Sequence, residues 1–234
     1  MQKTIYKQML NELGLYNYRQ NSKHLCAFNA QKGLRYKQQL MVVGRAVNGW
    51  GNDFQINDIF TQKLIDSMYE ESEDCPMEWV LQSWGDTLPS SYNTKKSAFW
   101  RVIKALHSNL YNDTDFWASE LVWSNLYKIA PFDGGNPPDS LCDYQFEYCN
   151  KLLKAEILEY LPDNIIFFTG MNWFHGFLND CIDLKCQPDF QWVDGHGTIT
   201  LNDKKIKFVV VKHPQGKPET ELVQETILAL SMIN

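Results

Sequence analysis

Several common signatures are missing from this sequence, and each absence removes a class of function. No apolar run approaches the ~20 residues that a membrane-spanning helix needs, so no membrane partner is expected. Six cysteines occur (Cys26, Cys75, Cys142, Cys149, Cys181 and Cys186), yet none forms a Cys-x-x-Cys pair. Zinc-ribbon and iron–sulfur spacings are therefore absent, and neither metal nor cofactor is expected. There is no Gly-Lys-Ser/Thr of a phosphate-binding P-loop, no Gly-x-Gly-x-x-Gly and no Gly-x-Ser-x-Gly nucleophile elbow. Internal repeats, low-complexity tracts and obvious linkers are lacking too. The first ten residues mix Lys3 and Lys7 with polar side chains and hold no apolar core of signal-peptide length, so a cytoplasmic, reducing compartment is expected. Basic residues are also in short supply: 22 Lys and Arg face 28 Asp and Glu, a net charge of −6. As an average, that balance argues against a bulk-charge binder of nucleic acid.

What is present is a globular composition. Hydrophobic residues make up 44% and aromatics 14%, more than a disordered chain carries, and 234 residues suit a single domain acting as a monomer. The acidity is local. Seven acids and no Lys or Arg lie between Asp66 and Asp86, inside a helical, insertion-like stretch of about residues 59–90. Setting those seven aside leaves 21 acids against 22 basic residues, close to neutrality. Small basic groups stand elsewhere, among them Lys204, Lys205, Lys207, Lys212 and Lys217. The net charge therefore does not exclude a local basic surface, and it predicts the acidic stretch turned away from any anionic ligand.

Four apolar runs punctuate the chain: Leu40 to Gly44, Glu120 to Leu126, Asn164 to Gly170 and Ile206 to Lys212. Their lack of clean alternation fits strands buried on both faces of a parallel sheet. Helical patterns fill the gaps at Ile59 to Tyr69, Lys96 to Leu110, Ser140 to Tyr160 and Glu219 to Met232, the last with Pro218 placed as a first-turn proline. Thr198 to Leu201, then Asn202-Asp203, then the fourth run read as an antiparallel pair. Alternating strands and helices imply an α/β fold, a three-layer α/β/α sandwich around a mainly parallel four-stranded sheet.

Ligands of such sheets bind at the carboxyl ends of the strands, so those ends are where unusual residues matter. The first run opens into Gly44-Arg45-Ala46-Val47-Asn48-Gly49-Trp50-Gly51-Asn52-Asp53, a glycine-rich loop with exposed backbone N–H groups. Such a loop is either an ordinary turn or a cradle that brings main chain against an anion or a flat ligand. The second run ends at Asn125, whose amide offers a donor and an acceptor together and suits either a loop backbone or the edge of a base. The fourth ends in Lys212-His213-Pro214-Gln215-Gly216-Lys217-Pro218. A histidine fixed there can donate to a developing anion, and the flanking lysines suit phosphates. His24, His107, His175 and His196 carry no spacing that suggests a metal.

The ordered set of loops resembles the uracil-DNA glycosylase superfamily, over roughly Leu40 to the C-terminus. Gly44-Arg45-Ala46 is similar to the family's first motif. Trp123-Ser124-Asn125-Leu126-Tyr127-Lys128 is similar to the strand that carries a base-reading Asn in the branch with Thr-Asn-x-x-Lys. Asn136-Pro137-Pro138, the helix from Ser140 and Leu161 to Gly170 continue that branch's layout, and Val210-Val211-Lys212-His213-Pro214 resembles the second motif. The resemblance implies a four-stranded parallel sheet between helices, DNA as partner, and hydrolysis of the N-glycosidic bond of a flipped uracil or other deaminated base. It implies His213 as donor to the departing base, Asn125 as reader of the base edge, the loop of Gly44, Arg45, Ala46 and Asn48 around the sugar and water, and Lys212 and Lys217 on phosphates. An aromatic under the base is implied, for which Trp50, Phe54 and Phe99 are candidates.

The departures from the family pattern are local. Ala46 stands where many members carry Asp or Asn to orient water, Arg45 where the alanine branch has Glu, and Val47 where Pro is usual. Asn48 and Asp53 are the nearby residues able to supply the missing polar group. The paired N-terminal cysteines of the similar iron–sulfur branch are absent, and Gln215-Gly216 follows the second motif's proline. Two readings stay open: a base-excision glycosylase, or a catalytically inactive nucleotide- or nucleic-acid-binding module on the same fold.

Overall fold

Buried β-branched and aromatic runs separated by amphipathic stretches fold here into a mixed α/β structure, seen in a computed structural model that describes residues 1–15, 24–56, 61–70, 74–85, 92–112, 115–186 and 189–233. The chain forms two compact units. The first comprises Met1–Ala30, Arg45–Ser72 and Asn125–Glu159; the second comprises Gln31–Gly44, Glu73–Ser124 and Tyr160–Asn234.

The first unit is built on helices α1 (Gln2–Leu15), α2 (Thr61–Met68) and α5 (Asp139–Tyr160), with α1 packed on α2. It also holds a small antiparallel sheet of β1 (His24–Ala27), β4 (Asn52–Gln55) and β6 (Ile129–Pro131), in which β1 is central. The sequence pattern does not announce this sheet, because its strands are three or four residues long and lack alternation. Helix α5 buries Leu141, Leu152 and Ala155, and it buries Gln145 and Glu156 as well.

The second unit contains the main sheet. Its strands are β2 (Gln31–Lys32), β3 (Leu40–Gly44), β5 (Leu121–Asn125), β7 (Asn164–Phe167), β8 (Ile182–Cys186), β9 (Val193–Leu201) and β10 (Lys204–Val211). Their spatial order is β2-β5-β3-β7-β10-β9-β8. The four apolar runs are thus four neighbouring strands, β5-β3-β7-β10. The sheet is not four-stranded, however, but seven-stranded and mixed. Strands β3, β7 and β10 are parallel, while β9 pairs antiparallel with β10, β8 with β9, and β2 with β5. The extension has a sequence cause. Asn202 and Asp203, at φ 47° and 64°, both take the left-handed conformation of a two-residue hairpin turn, which folds β9 back on β10. The mostly exposed strand β8 then covers β9, helped by Gly197, where a Cβ would lie 1.8 Å from the Asp183 carbonyl oxygen.

Met41, Val43, Ile165, Phe167, Phe208 and Val210 are fully buried on this sheet. Each such side chain contributes about 1.5–3 kcal/mol by leaving water. Helix α6 (Met171–Phe174) sets Phe174 against Phe167 and Phe208. Helix α7 (Glu219–Ser231) packs on β9 and β10, and α4 (Ala98–Tyr111) packs on α7. Arg101 on α4 forks onto the Glu219 carboxylate in the first turn of α7, where an acid also complements the helix dipole. Pro218 stands just before that turn, at the N-cap. Trp79, Trp100, Trp117 and Trp123 interlock at ring centroid distances of 5.2–6.2 Å and anchor α4 and the short helix α3 (Glu78–Gln82).

The acidic stretch divides between the units, with Asp66 and Glu70 in the first and Asp74 and Glu78 in the second. Glu71, Glu73 and Asp86 lie outside the described residues. Among the described residues, no helix is long and apolar enough to cross a membrane.

Candidate functional site

Parallel pairing puts Val43, Phe167 and Val210 in one row of the main sheet, since Val43 is opposite Phe167 and Phe167 is opposite Val210. The chain leaves this row at one edge. Gly44 closes β3, Phe168 follows β7, and Val211 closes β10. Backbone bonds tie the edge together: Phe168 N–H donates to the Val43 carbonyl and Gly170 N–H to the Val211 carbonyl, both at 2.8 Å. His213 lies two residues past the end of β10, so a rigid scaffold holds it.

The His213 ring is half-buried, and its orientation is defined. The Gln215 backbone N–H donates to Nδ1 at 3.2 Å. A nitrogen that accepts a hydrogen bond holds its lone pair, so the neutral imidazole carries its proton on Nε2. Phe99, at the start of α4, runs nearly parallel to the imidazole, with centroids 6.3 Å apart and planes 16° apart. Its own ring is held edge-on by Phe168 at 5.4 Å and by Trp100 at 5.0 Å. A donor and a flat aromatic face therefore stand side by side at the sheet edge. Of the three aromatic candidates, Phe99 is the one beside His213 in the second unit. Trp50 and Phe54 belong to the first unit, where Trp50 meets Phe28 edge-on at 5.2 Å and Phe54 is buried in β4.

The lysines flanking His213 are placed by a loop on the same unit. Lys212 Nζ donates to the Gln191 carbonyl at 2.7 Å and lies 4.0 Å from Asp194 Oδ1. Lys217 follows a turn closed by its N–H onto the Pro214 carbonyl at 2.9 Å, with Gly216 at φ 70° in a conformation that suits glycine.

The remaining sequence candidates sit in the first unit. Arg45 and Ala46 are half-buried and Asn48 is exposed. The Arg45 carbonyl accepts the Tyr127 N–H at 2.9 Å, and burial lowers the Arg45 pKa. Asn48 Oδ1 accepts the Gly135 N–H at 2.6 Å, which pins the glycine loop to the turn at Gly134-Gly135. A Cβ at Gly134 would lie 2.9 Å from that same oxygen, and both glycines have positive φ. Asp53 pairs with His24, Oδ2 to Nε2 at 2.7 Å, and the His24 ring lies on Phe132 with centroids 4.2 Å apart. Asn125, the last residue of β5, is buried.

Sequence reasoning missed several polar partners. Lys128 is fully buried, and its ammonium meets Glu156 at 2.7 Å. Gln145 Oε1 accepts the N–H groups of Lys128 and Ile129, while its Nε2 donates to the Ile129 carbonyl. Tyr6 Oη accepts the Phe28 N–H and lies 2.9 Å from the Phe28 carbonyl. Burial raises the Tyr6 pKa, and it lifts the Cys149 thiol to about 12. The one advance signal was spacing: Gln145, Cys149, Leu152 and Glu156 recur at three or four along α5 and share its buried side. All six cysteines are free thiols. Among the described residues, no three His, Cys, Asp or Glu side chains gather to hold a metal ion. No protein-family model matches the chain, and no curated protein matches its sequence.

Proposed function

We propose that the protein is a DNA base glycosylase of uracil-DNA glycosylase-like, three-layer architecture, hydrolysing the N-glycosidic bond of a flipped uracil or other deaminated base. One observation carries this reading: the Nε2–H form of His213, set by the Gln215 N–H, beside the face of Phe99 at the edge of a parallel β3-β7-β10 core. In the proposed reaction the C1′–N bond breaks and its electron pair leaves on the base. Water adds to C1′, and the proton it gives up ends on the departing base anion, so that free base and a C1′ hydroxyl result. His213 Nε2–H donates to the base oxygen where the charge accumulates, and a preorganised donor of this kind is worth about 2.7–4 kcal/mol. Phe99 offers its face to the base.

Release of free base from a uracil-containing oligonucleotide tests the proposal. His213→Ala is expected to slow release by about a hundred- to a thousandfold. The competing reading, a module that binds without cleaving, is favoured by a separate observation. Ala46 brings no polar group, while Asn48 and Asp53 are already engaged by Gly135 and His24. Retained DNA binding with zero turnover, unaltered by His213→Ala, would decide for the module.

A further inference from the structure

We infer that Trp192, with Lys212 and Lys217, forms a second nucleotide subsite, a stacking platform for an undamaged base of single-stranded DNA flanking the one held at His213. The inference extends the DNA-directed reading above, but it stands on different residues. Trp192 precedes β9 and is half-buried, with an indole N–H that meets no protein acceptor among the described residues. Its backbone is fixed. The Glu225 carboxylate on α7 takes the Gln191 N–H at 3.2 Å and the Trp192 N–H at 2.6 Å, and the Trp192 carbonyl accepts the Lys212 N–H at 2.9 Å. The ring is thereby held without using its own polar group.

Two ammonium groups stand at this indole, Lys217 Nζ at 5.6 Å from the ring centroid and Lys212 Nζ at 5.8 Å. Both lie within cation–π range. The acids nearby are occupied: Glu225 by the two backbone N–H groups, and Asp194 by the Met171 N–H at 2.8 Å and by Lys212. Lys217 makes no side-chain hydrogen bond or ion pair among the described residues, so its ammonium can turn to an incoming phosphate at the cost of its contact with the ring alone. An aromatic face with adjacent cations is the chemistry that binds single-stranded nucleic acid, where stacking carries the base and the ammoniums carry the phosphate. The chain leads directly from Lys212 into His213, and the Gly216 turn returns it at Lys217, so the platform borders the proposed reaction site in the same unit.

Fluorescence anisotropy with a labelled, undamaged single-stranded oligonucleotide, repeated over a series of salt concentrations, tests the platform. Trp192→Ala is expected to weaken binding by about tenfold, and Trp192→Phe to retain most of it. Lys217→Gln is expected to lower the salt slope by about 0.7. Thermal melts confirm that the variants fold, and should Trp192→Ala not fold, Lys217→Gln and Trp192→Phe decide. Failure of the wild-type protein to bind, or wild-type affinity and slope in Trp192→Ala and Lys217→Gln, would overturn the platform. Binding with these effects but no base release would retire the glycosylase reading and keep the platform. Base release with unaltered binding in the variants would do the reverse.

Discussion

His213 shows how one backbone bond sets chemistry at the scale of a residue. The Gln215 N–H leaves Nδ1 only the acceptor role, so the neutral ring is expected in its Nε2–H form. Nitrogen-15 NMR of labelled protein should show a protonated Nε2 and an unprotonated Nδ1 for His213, and the opposite tautomer would remove the donor that the proposed reaction needs. Lys128 and Glu156 show the cost of burying charge. With both side chains dry and 2.7 Å apart, Glu156→Gln leaves an ammonium unpaired and is expected to cost about 3–5 kcal/mol in denaturant unfolding. Replacing both together by Met and Leu should cost far less, because neither charge is then left buried. At this scale the sequence was only partly legible. His213 and Lys217 stood out because proline and glycine fix the loop that holds them. The choice of Phe99 over Trp50 and Phe54 did not, because it depends on where the start of α4 meets the end of β10 in space. The pairings of Asp53 with His24 and of Lys128 with Glu156 were likewise invisible, since each joins residues distant along the chain.

Elements were read more reliably than residues, for a physical reason. Strands β3, β5 and β7 are buried through nearly all their residues and β10 through its last four, and they are therefore largely apolar there, which is a pattern that sequence displays. Strand β8, with the sequence Ile-Asp-Leu-Lys-Cys, is an edge strand exposed along much of its length, and its pairing depends on what β9 allows. That dependence can be tested. Gly197→Ala would push a methyl group into the Asp183 backbone, so β8 is expected to detach while the β3-β7-β10 core persists. Amide hydrogen exchange should then show protection lost in Ile182 to Cys186 and retained in Ile165 to Phe167. Uniform protection across both would contradict the account.

The whole molecule carries one predictable response to acid. His196 on β9 is 3% exposed, and burial, followed by the Lys185 ammonium, lowers its pKa below the ordinary 6.5. Below that value the unfolded chain takes up a proton that the folded chain resists. Stability from this group is therefore present above pH 6.5 and is lost as the pH falls through the lowered folded value. The melting temperature of the wild type should drop over that range, and His196→Phe should flatten this part of the profile.

The same scale frames the question of DNA. A net charge of −6 tells against a nucleic-acid partner only as an average, and Lys212 and Lys217 flank His213 regardless of it. The central claim is that His213 acts on a base, and base excision measures it directly. Oligonucleotides carrying uracil, hypoxanthine or xanthine are incubated with the protein and then cleaved at abasic sites by alkali. The account predicts strand scission at one or more of these bases, reduced about a hundredfold or more in His213→Ala. Absence of an abasic product on every one of them, at protein in excess over DNA, would contradict it.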